Sequence, residues 1–462
     1  MIPNKSPWIE QLKRTRPVAP LSKETHTDVV IVGGGIAGIV SAFFILHYTT
    51  YSVVLLEADK IAHGATGHNA GQLTSYFERP FTDIVREFGL AMAIEGQRSV
   101  ESAWELIEHI VTTTRIKTPL YTFTGYAGFS DYTHVISHLE DNLLRRNGNM
   151  DTEPMYIASE WLQHNSLPSL YDGLYTPIPQ SEIQEKLETN HPGYIAIIQS
   201  KKGCMNSALF SEEIAGYLIA THPERFHLHE GTHVKNIRLH EHSATLTTAG
   251  ARVFAQRVLL CTNGFENFSI TNEHGPDIDT TFHASVAGRI GYMSAYVDAV
   301  SSKPTAVSYF PRNHSSNQDP TGETYFYLTR RPHEHTSAGP ETLICTGGPE
   351  KVLPNGAEYS RHHFFDDDIR ESIADFMDIH YKPYAKNINK AFYWHGLMGY
   401  TPNGIRRIGA EPCNPILLYN LGCNGVGILP SIYGAKRITQ ILQGVHLPPS
   451  IFDPKNQTEG FL

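Results

Sequence analysis

The stretch "DVVIVGGGIAGIVSAFFIL" runs from Asp28 to Leu46, and its reading decides the fold. Val29 to Val32 is an unbroken β-branched run, as expected of a strand buried on both faces. Three glycines follow at once, and Ile36, Ile39, Val40 and Phe43 then recur along one side of a helix. "YSVVLLEAD" (Tyr51–Asp59) reads as a second buried strand and completes a βαβ unit. Gly33, Gly35 and Gly38 satisfy G-x-G-x-x-G at the junction of strand and helix. In that pattern the first glycine makes the turn, the second lets backbone approach a pyrophosphate, and the third lets helix pack on strand. Ile36 and Ala37 begin a helix whose N-terminal N–H groups attract phosphate. Glu57 ends the second strand 19 residues after Gly38, where an acid accepts hydrogen bonds from ribose hydroxyls. Strands, glycines and acid together predict a dinucleotide site. They do not separate FAD from NAD.

The chain has 462 residues, enough for one large or two ordinary domains. Hydrophobic residues are 40% and charged residues 18%, a balance that builds a packed core and argues against disorder. The net charge of −10 argues against nucleic acid, which needs a basic footprint. The five cysteines include no C-x-x-C pair, so neither a disulfide scaffold nor a zinc site is expected, and no metal. "MIPNKSPWIEQLKRTRPVAP" lacks the apolar core of a signal peptide, and no run reaches the roughly 20 apolar residues of a membrane span. A cytoplasmic location follows as the expectation. The oligomeric state is left open.

Further along, about Phe81 to Thr114 reads as helix, and "RFHLHEGTHVKNI" as a strand. "SATLTTAGARVFAQRVLLCTNG" reads as a hairpin-like pair. Residues 275–390 read as strand-rich, with a polar loop at 311–323. "YNLGCNGVGILPSIYGAKRI" (Tyr419–Ile438) returns to strand, glycine turn and helix, with Pro430 placed to open the helix. Nucleotide-type signals thus sit in separated blocks, which predicts a discontinuous domain with another threaded through it.

Taken in order, the blocks resemble the D-amino-acid oxidase superfamily of FAD-dependent oxidoreductases, the branch with glycine oxidase, sarcosine oxidase and γ-glutamylputrescine oxidoreductase. The carrying motifs are the fingerprint, "GATGHNAG", a V-x-x-I strand, "CTNG", "W-x-G-L…T-P-x-G" and a final G-x-x-G-x-G. "SPWIEQL" and "LMGYTP" are most similar to the γ-glutamylputrescine oxidoreductase group. The resemblance implies an α/β fold: a discontinuous Rossmann-like FAD-binding domain of glutathione-reductase type (1–110, 200–272 and 388–462). An α+β substrate domain on an antiparallel sheet (111–199 and 273–387) is interleaved with it. It implies FAD bound extended, with adenosine near Glu57 and Val234 and pyrophosphate at Gly33–Gly38. The flavin ring is then expected near Gly64, Ala65, Thr66, His68, Asn69, Ala70, Gly71 and Gln72. Thr262, Asn263, Gly264, Gly425, Val426, Gly427 and Ile428 complete the expected cofactor contacts. The implied chemistry is hydride removal from a carbon bearing an amine, with oxygen or another carrier as electron acceptor. A different class of function, an FAD-binding electron-transfer subunit of a larger complex, uses the same motifs.

Two departures matter. Amino-acid oxidases of the family carry an arginine within W-x-G-L-R-P that grips the substrate carboxylate bidentately. Here that position is Met398, which favours amines without a carboxylate beside the reacting carbon. Arg330 or Arg331 remain as cations from another direction, with a solvated surface charge the simpler reading. Tyr325 and Tyr327 alternate on a predicted strand and share one side, core or pocket, and His395 either faces the flavin or packs. The second departure is His68. In the sarcosine and dimethylglycine dehydrogenase branch the matching loop carries a histidine bonded covalently to flavin, whereas others read G-A-S-G-R-N. A covalent link through His68 and a plain contact both stay open.

Overall fold

The computed structural model describes residues 2–264, 266–299, 302–311, 325–333, 341–353, 358–383 and 391–457. Beyond Pro311, the polar loop expected at 311–323 lies outside them.

Thr25–Val32 forms the expected strand, with Val29, Val30 and Ile31 fully buried, and Ile36–Tyr48 forms the helix after it. Thr25–Val32 pairs in parallel with Val53–Leu56 on one side and Arg252–Leu260 on the other. Phe226–His229 and Asn414–Leu421 extend this parallel core to five strands. A crossover from strand to parallel strand needs a helix, and helices cover the core: Ile36–Tyr48 packs on Ser207–Thr221 and on the C-terminal helix Ile428–Leu442. Val234–Leu239, Ala244–Thr248 and Arg252–Leu260 form an antiparallel meander that continues the sheet.

The second sheet is mostly antiparallel with parallel pairings at two places. Its order is Ala391–Tyr400, Ala287–Asp298, Glu341–Val352, Phe326–His333, Thr305–Phe310, Tyr121–Phe129, Ala196–Cys204, Met155–Ala158, Thr176–Ile178. Ala391–Tyr400, drawn with the nucleotide-binding segment in the sequence reading, is hydrogen-bonded along its length to Ala287–Asp298 of this second sheet. One face is covered by the helix Asp367–His380, whose Phe376 ring stacks on Phe326 at 4.0 Å. The other face meets the 64–72 loop, at Gly396 against His68.

Two local expectations need correction. "RFHLHEGTHVKNI" is two strands, because Gly231 takes φ +62° and the Glu230 carboxylate there caps Ile61 N–H and pairs with Arg14 and Arg16. The helical stretch from Phe81 is three helices, broken at Gly89 with φ +79° and at Ser102. The region 275–390 is strand-rich as expected and also contains a long helix, Asp367–His380, capped by the Asp366 carboxylate on Asp368 N–H. No helix among the described residues is long and apolar enough to cross a membrane.

Candidate active site

The fingerprint turn is built by backbone contact. A Cβ on Gly33 would lie 2.7 Å from the Cys261 carbonyl oxygen, and one on Gly38 would overlap the Gly33 carbonyl. Gly33 also takes φ +108°, which side chains resist. At Gly35 an added Cβ meets only the Thr66 hydroxyl, and at Gly64 it meets nothing within 4 Å. The inner glycines seal strand to helix, while Gly35 and Gly64 border open space. Glu57 receives the Gly34 N–H at 2.6 Å and the Asp59 N–H at 2.9 Å, one on each carboxylate oxygen. Each oxygen keeps a lone pair for a ribose hydroxyl. Burial pushes the Glu57 carboxyl up, against the pull of those two N–H groups.

At the next parallel strand end, the Thr262 hydroxyl is buried and has no hydrogen-bond partner. A buried hydroxyl without a partner is costly, so this atom points to a missing group. Asn263 and Gly264 follow with φ +68° and +99°. The Asn263 side chain accepts the Cys423 N–H at 2.9 Å, tying this turn to the loop before the C-terminal helix. In that loop Asn424 accepts Thr401 N–H at 2.8 Å, Gly425 has φ +73°, Val426 N–H closes on Asn424 O, and Gly427 caps the helix that Ile428 begins. The open glycines, the orphaned hydroxyl and two helix N-termini fit the FAD implied above. Val234 opens its strand beside Thr248, half-buried on the outer core.

The 64–72 loop is fixed between both sheets. The Thr66 hydroxyl accepts the Ile36 N–H at 2.9 Å, and Ala65–Gly67 makes one 3₁₀ turn. The Asn69 side chain donates to Thr66 O and to Ser207, and accepts the Gly71 N–H. Its carbonyl receives the indole N–H groups of Trp8 at 2.6 Å and Trp394 at 3.3 Å. Ala70 packs against the main core, and Gln72 reaches across to the Thr329 hydroxyl at 3.0 Å. His68 donates from Nδ1 to Gly64 O at 3.0 Å, and burial drives its pKa down to about 4. It is a neutral imidazole with Nε2 as its remaining nitrogen.

Strand register decides which side chains face this loop. Trp394 pairs with Met293, Met293 with Gly347, Gly347 with Tyr327, and Tyr327 with Ser308. Paired residues point to one side, so these share a face with Gly396 and Met398. That face meets the loop: a Cβ on Gly396 would lie 2.8 Å from His68 O. Tyr325 and Tyr327 stand 5.3 Å apart by ring centroid on this face, and the Tyr327 hydroxyl reaches Met293 Sδ at 3.0 Å. Tyr325, Tyr327 and Met398 are each half-buried. His395, one residue from Trp394, points to the opposite face. It is 2% exposed, and its ring nitrogens are taken by the Tyr359 hydroxyl and the His363 carbonyl. It packs, and is no candidate for contact with the flavin.

Arg330 and Arg331 are not surface charges. Arg330 grips Glu188 at 2.7 and 2.8 Å and the Tyr381 hydroxyl, on the face away from the loop. Arg331 is 0% exposed, donates to Gln11 and lies over the Trp8 ring at 4.7 Å. The cation near Met398 is instead Arg289, its direct partner across the strands, with the guanidinium 4.3 Å over the Tyr400 ring and 3.8 Å from Glu350. Glu78 receives the Tyr400 hydroxyl at 2.9 Å and lies against Gly425, at the start of the C-terminal helix. Tyr76 interacts with the side chains of Tyr325 and Thr74. Tyr76, Glu78 and Arg289 sit in no motif, and Tyr400 lies within LMGYTP without a role of its own in that wording; only tertiary contact brings the four together. Arg406 is buried and donates to Asn420 Oδ1 at 2.7 Å and Asn420 O at 2.8 Å, holding the last parallel strand to the T-P-N-G turn.

Known proteins bear on this geometry. The family model of FAD dependent oxidoreductases matches residues 28–441. The chain is 36% identical over 77 residues to gamma-glutamylputrescine oxidoreductase of Escherichia coli (strain K12), a match covering 17% of this chain and 18% of that one. The curated relatives it matches are thus each spanned over 18% of their length. Among solved structures, glycine oxidase from Geobacillus kaustophilus superposes with TM-score 0.63 at 15% identity over 93% of this chain and 98% of that one. L-proline dehydrogenase from P. horikoshii gives 0.64 at 16% identity over 94% and 98%. These likenesses concern the fold.

Proposed function

The chain belongs to the FAD-dependent oxidoreductase family, and on that premise we propose that it oxidises the C–N bond of a primary or secondary amine to an imine. Bound FAD supplies the hydride acceptor, and the protein supplies position and field. The observation that carries the reading is the sheet face opposite the 64–72 loop. It presents Tyr325, Tyr327, Met293 and Met398 around the expected ring position, with carboxylates Glu78 and Glu350 behind them. Aromatic faces and carboxylates suit an amine and its cation. Arg289 is offset by Glu350 and Tyr400, so a substrate carboxylate would compete with groups already in place. The FAD part is assigned to 1–110, 200–272 and 388–462, less the strand Ala391–Tyr400, which lines the substrate side. Gly33–Gly38, Glu57, Thr262 and the 64–72 and 425–428 segments hold the cofactor in this assignment.

The test is anaerobic. The purified yellow protein is mixed with a panel of primary, secondary and N-methyl amines, with glycine and proline as carboxylate-bearing controls. Bleaching near 450 nm by amines, faster than by the amino acids, supports the reading. Bleaching by no amine, with partner proteins co-purifying, favours the electron-transfer subunit and overturns it.

A further inference from the structure

Lys202 lies toward the end of the strand Ala196–Cys204 and is only 2% exposed. A buried ammonium is expensive unless paired. Among the described residues no carboxylate stands within ion-pair distance of its amine; Glu153 acts on it only through its field, and Glu153 is itself pushed toward the neutral form by burial. The amine donates to the Ser308 hydroxyl at 3.2 Å and lies 5.9 Å from the Tyr76 ring. Register puts Lys202 beside Phe123, on the same face as Ser308 and Tyr327. Gly125 makes room for its stem, since a Cβ there would lie 2.5 Å from Lys202 Cδ. The Tyr325 hydroxyl interacts with both Ser308 and Tyr76, which carries the contact onward from Lys202.

We propose that Lys202 ends a proton relay serving the amine site, taking up the proton that an ammonium substrate must lose before its carbon is oxidised. The inference rests on the amine-oxidation reading above. In the transfer an N–H bond of the substrate breaks and its electron pair stays on nitrogen. The Tyr325 and Ser308 hydroxyls each accept one proton and give one up, and a new N–H bond forms on Lys202 Nζ. The tyrosines cannot hold the charge themselves, because burial raises Tyr76 and Tyr325 well above the ordinary phenol range. Burial lowers Lys202 to about 8, which puts its midpoint near working pH, and its amine already meets the Ser308 hydroxyl. The charged groups around it are Glu153, with Glu101, Asp141 and Arg145 behind, and Glu78 beyond Tyr76. Lys202 acts through Ser308 and Tyr325, as a positioning residue.

The test pairs two measurements on the FAD-loaded protein. Stopped-flow flavin reduction by a primary amine is followed from pH 6 to 11 for the wild type, Lys202→Met, Lys202→Arg and Ser308→Ala. The wild-type second-order rate is expected to rise through a midpoint near 8. In Lys202→Met that limb moves toward the free amine's own midpoint of about 10, with a loss of roughly tenfold or more at pH 8. Lys202→Arg does not rescue it, because a guanidinium stays protonated. Ser308→Ala moves the limb in the same way and covers the case in which Lys202→Met fails to fold. Separately, NMR of protein labelled at lysine Cε should show one signal with a midpoint near 8 that is absent from Lys202→Met and present in Ser308→Ala. An unmoved limb in variants that keep their flavin spectrum overturns the relay, as does a Lys202 signal titrating near an ordinary lysine. If no amine bleaches even the wild type, the amine-oxidation reading falls and the relay with it.

Discussion

Gly396→Ala tests the contact that holds the two halves of the site together. The new Cβ would stand 2.8 Å from His68 O and 3.0 Å from His68 Cβ. Carbon atoms pack best at about 3.5–4.0 Å, so loop or strand must retreat by roughly 0.5 Å. The loop does not retreat freely. Asn69 O is held by two indole N–H groups, Thr66 by Ile36 N–H, and Asn69 by Ser207. Overpacking against such a fixed surface costs about 1–3 kcal/mol. In the flavin-free protein the loop can relax part of that strain, whereas bound FAD needs the loop in place. The strain therefore falls on binding, and FAD affinity should drop roughly fivefold to a hundredfold. The assay is titration of flavin-free protein with FAD, read by quenching of flavin fluorescence, beside thermal melts with and without cofactor. Gly216→Ala, on the exposed side of the helix Ser207–Thr221 where a Cβ meets nothing within 4 Å, is the control. It should leave affinity unchanged and stabilise by roughly 0.5–1 kcal/mol. A Gly396→Ala protein that binds FAD within twofold of wild type refutes the claim that this glycine sets the approach of loop to sheet.

Glu57→Gln keeps the shape but sets an amide N–H against the Gly34 or Asp59 N–H. Loss of one charge-assisted bond is worth about 1.5–3 kcal/mol, so FAD titration should show at least tenfold weaker binding; unchanged affinity would remove Glu57 from the site. His68, lowered to about 4 in the fold, binds fewer protons there than in the unfolded chain near 6.5. Its contribution is complete above pH 6.5 and is lost as pH falls toward 4, by up to about 3 kcal/mol before solvent screening. Melts of the flavin-free protein between pH 4 and 8 should therefore show wild type losing stability faster on acidification than His68→Gln; parallel curves would contradict it. Acid precipitation is expected to leave the yellow colour in the supernatant, as a contact through His68 requires, while colour retained in the pellet would mean a covalent bond.

The nucleotide half of the site was legible because its signals are local. Strand, glycine turn and helix lie within Thr25–Tyr48, and the backbone demands on Gly33 and Gly38 are met inside that segment or by the adjacent strand end. The helix Asp367–His380 was also written locally, in the Asp366 cap and in Ile369, Ile373 and Phe376 at helical spacing, but the strand-rich neighbourhood masked it. His395 and Arg330 were ambiguous because a single strand does not say which of its faces is covered. Pairing with Ala287–Asp298 and packing of Asp367–His380 assigned both to the far side.

By itself, then, the sequence determined the strand–turn–helix of a dinucleotide fingerprint, the acid at the end of its second strand, and the glycine turns that follow the parallel strands. Those features need only neighbours a few residues away, or a period of two or 3.6. The grouping of side chains on the sheet face toward the 64–72 loop was decided by tertiary structure alone. Lys202, Ser308, Tyr327, Met293 and Met398 come from five strands spread over some 200 residues, and a one-residue change of register in any of them would turn its side chain to the other face.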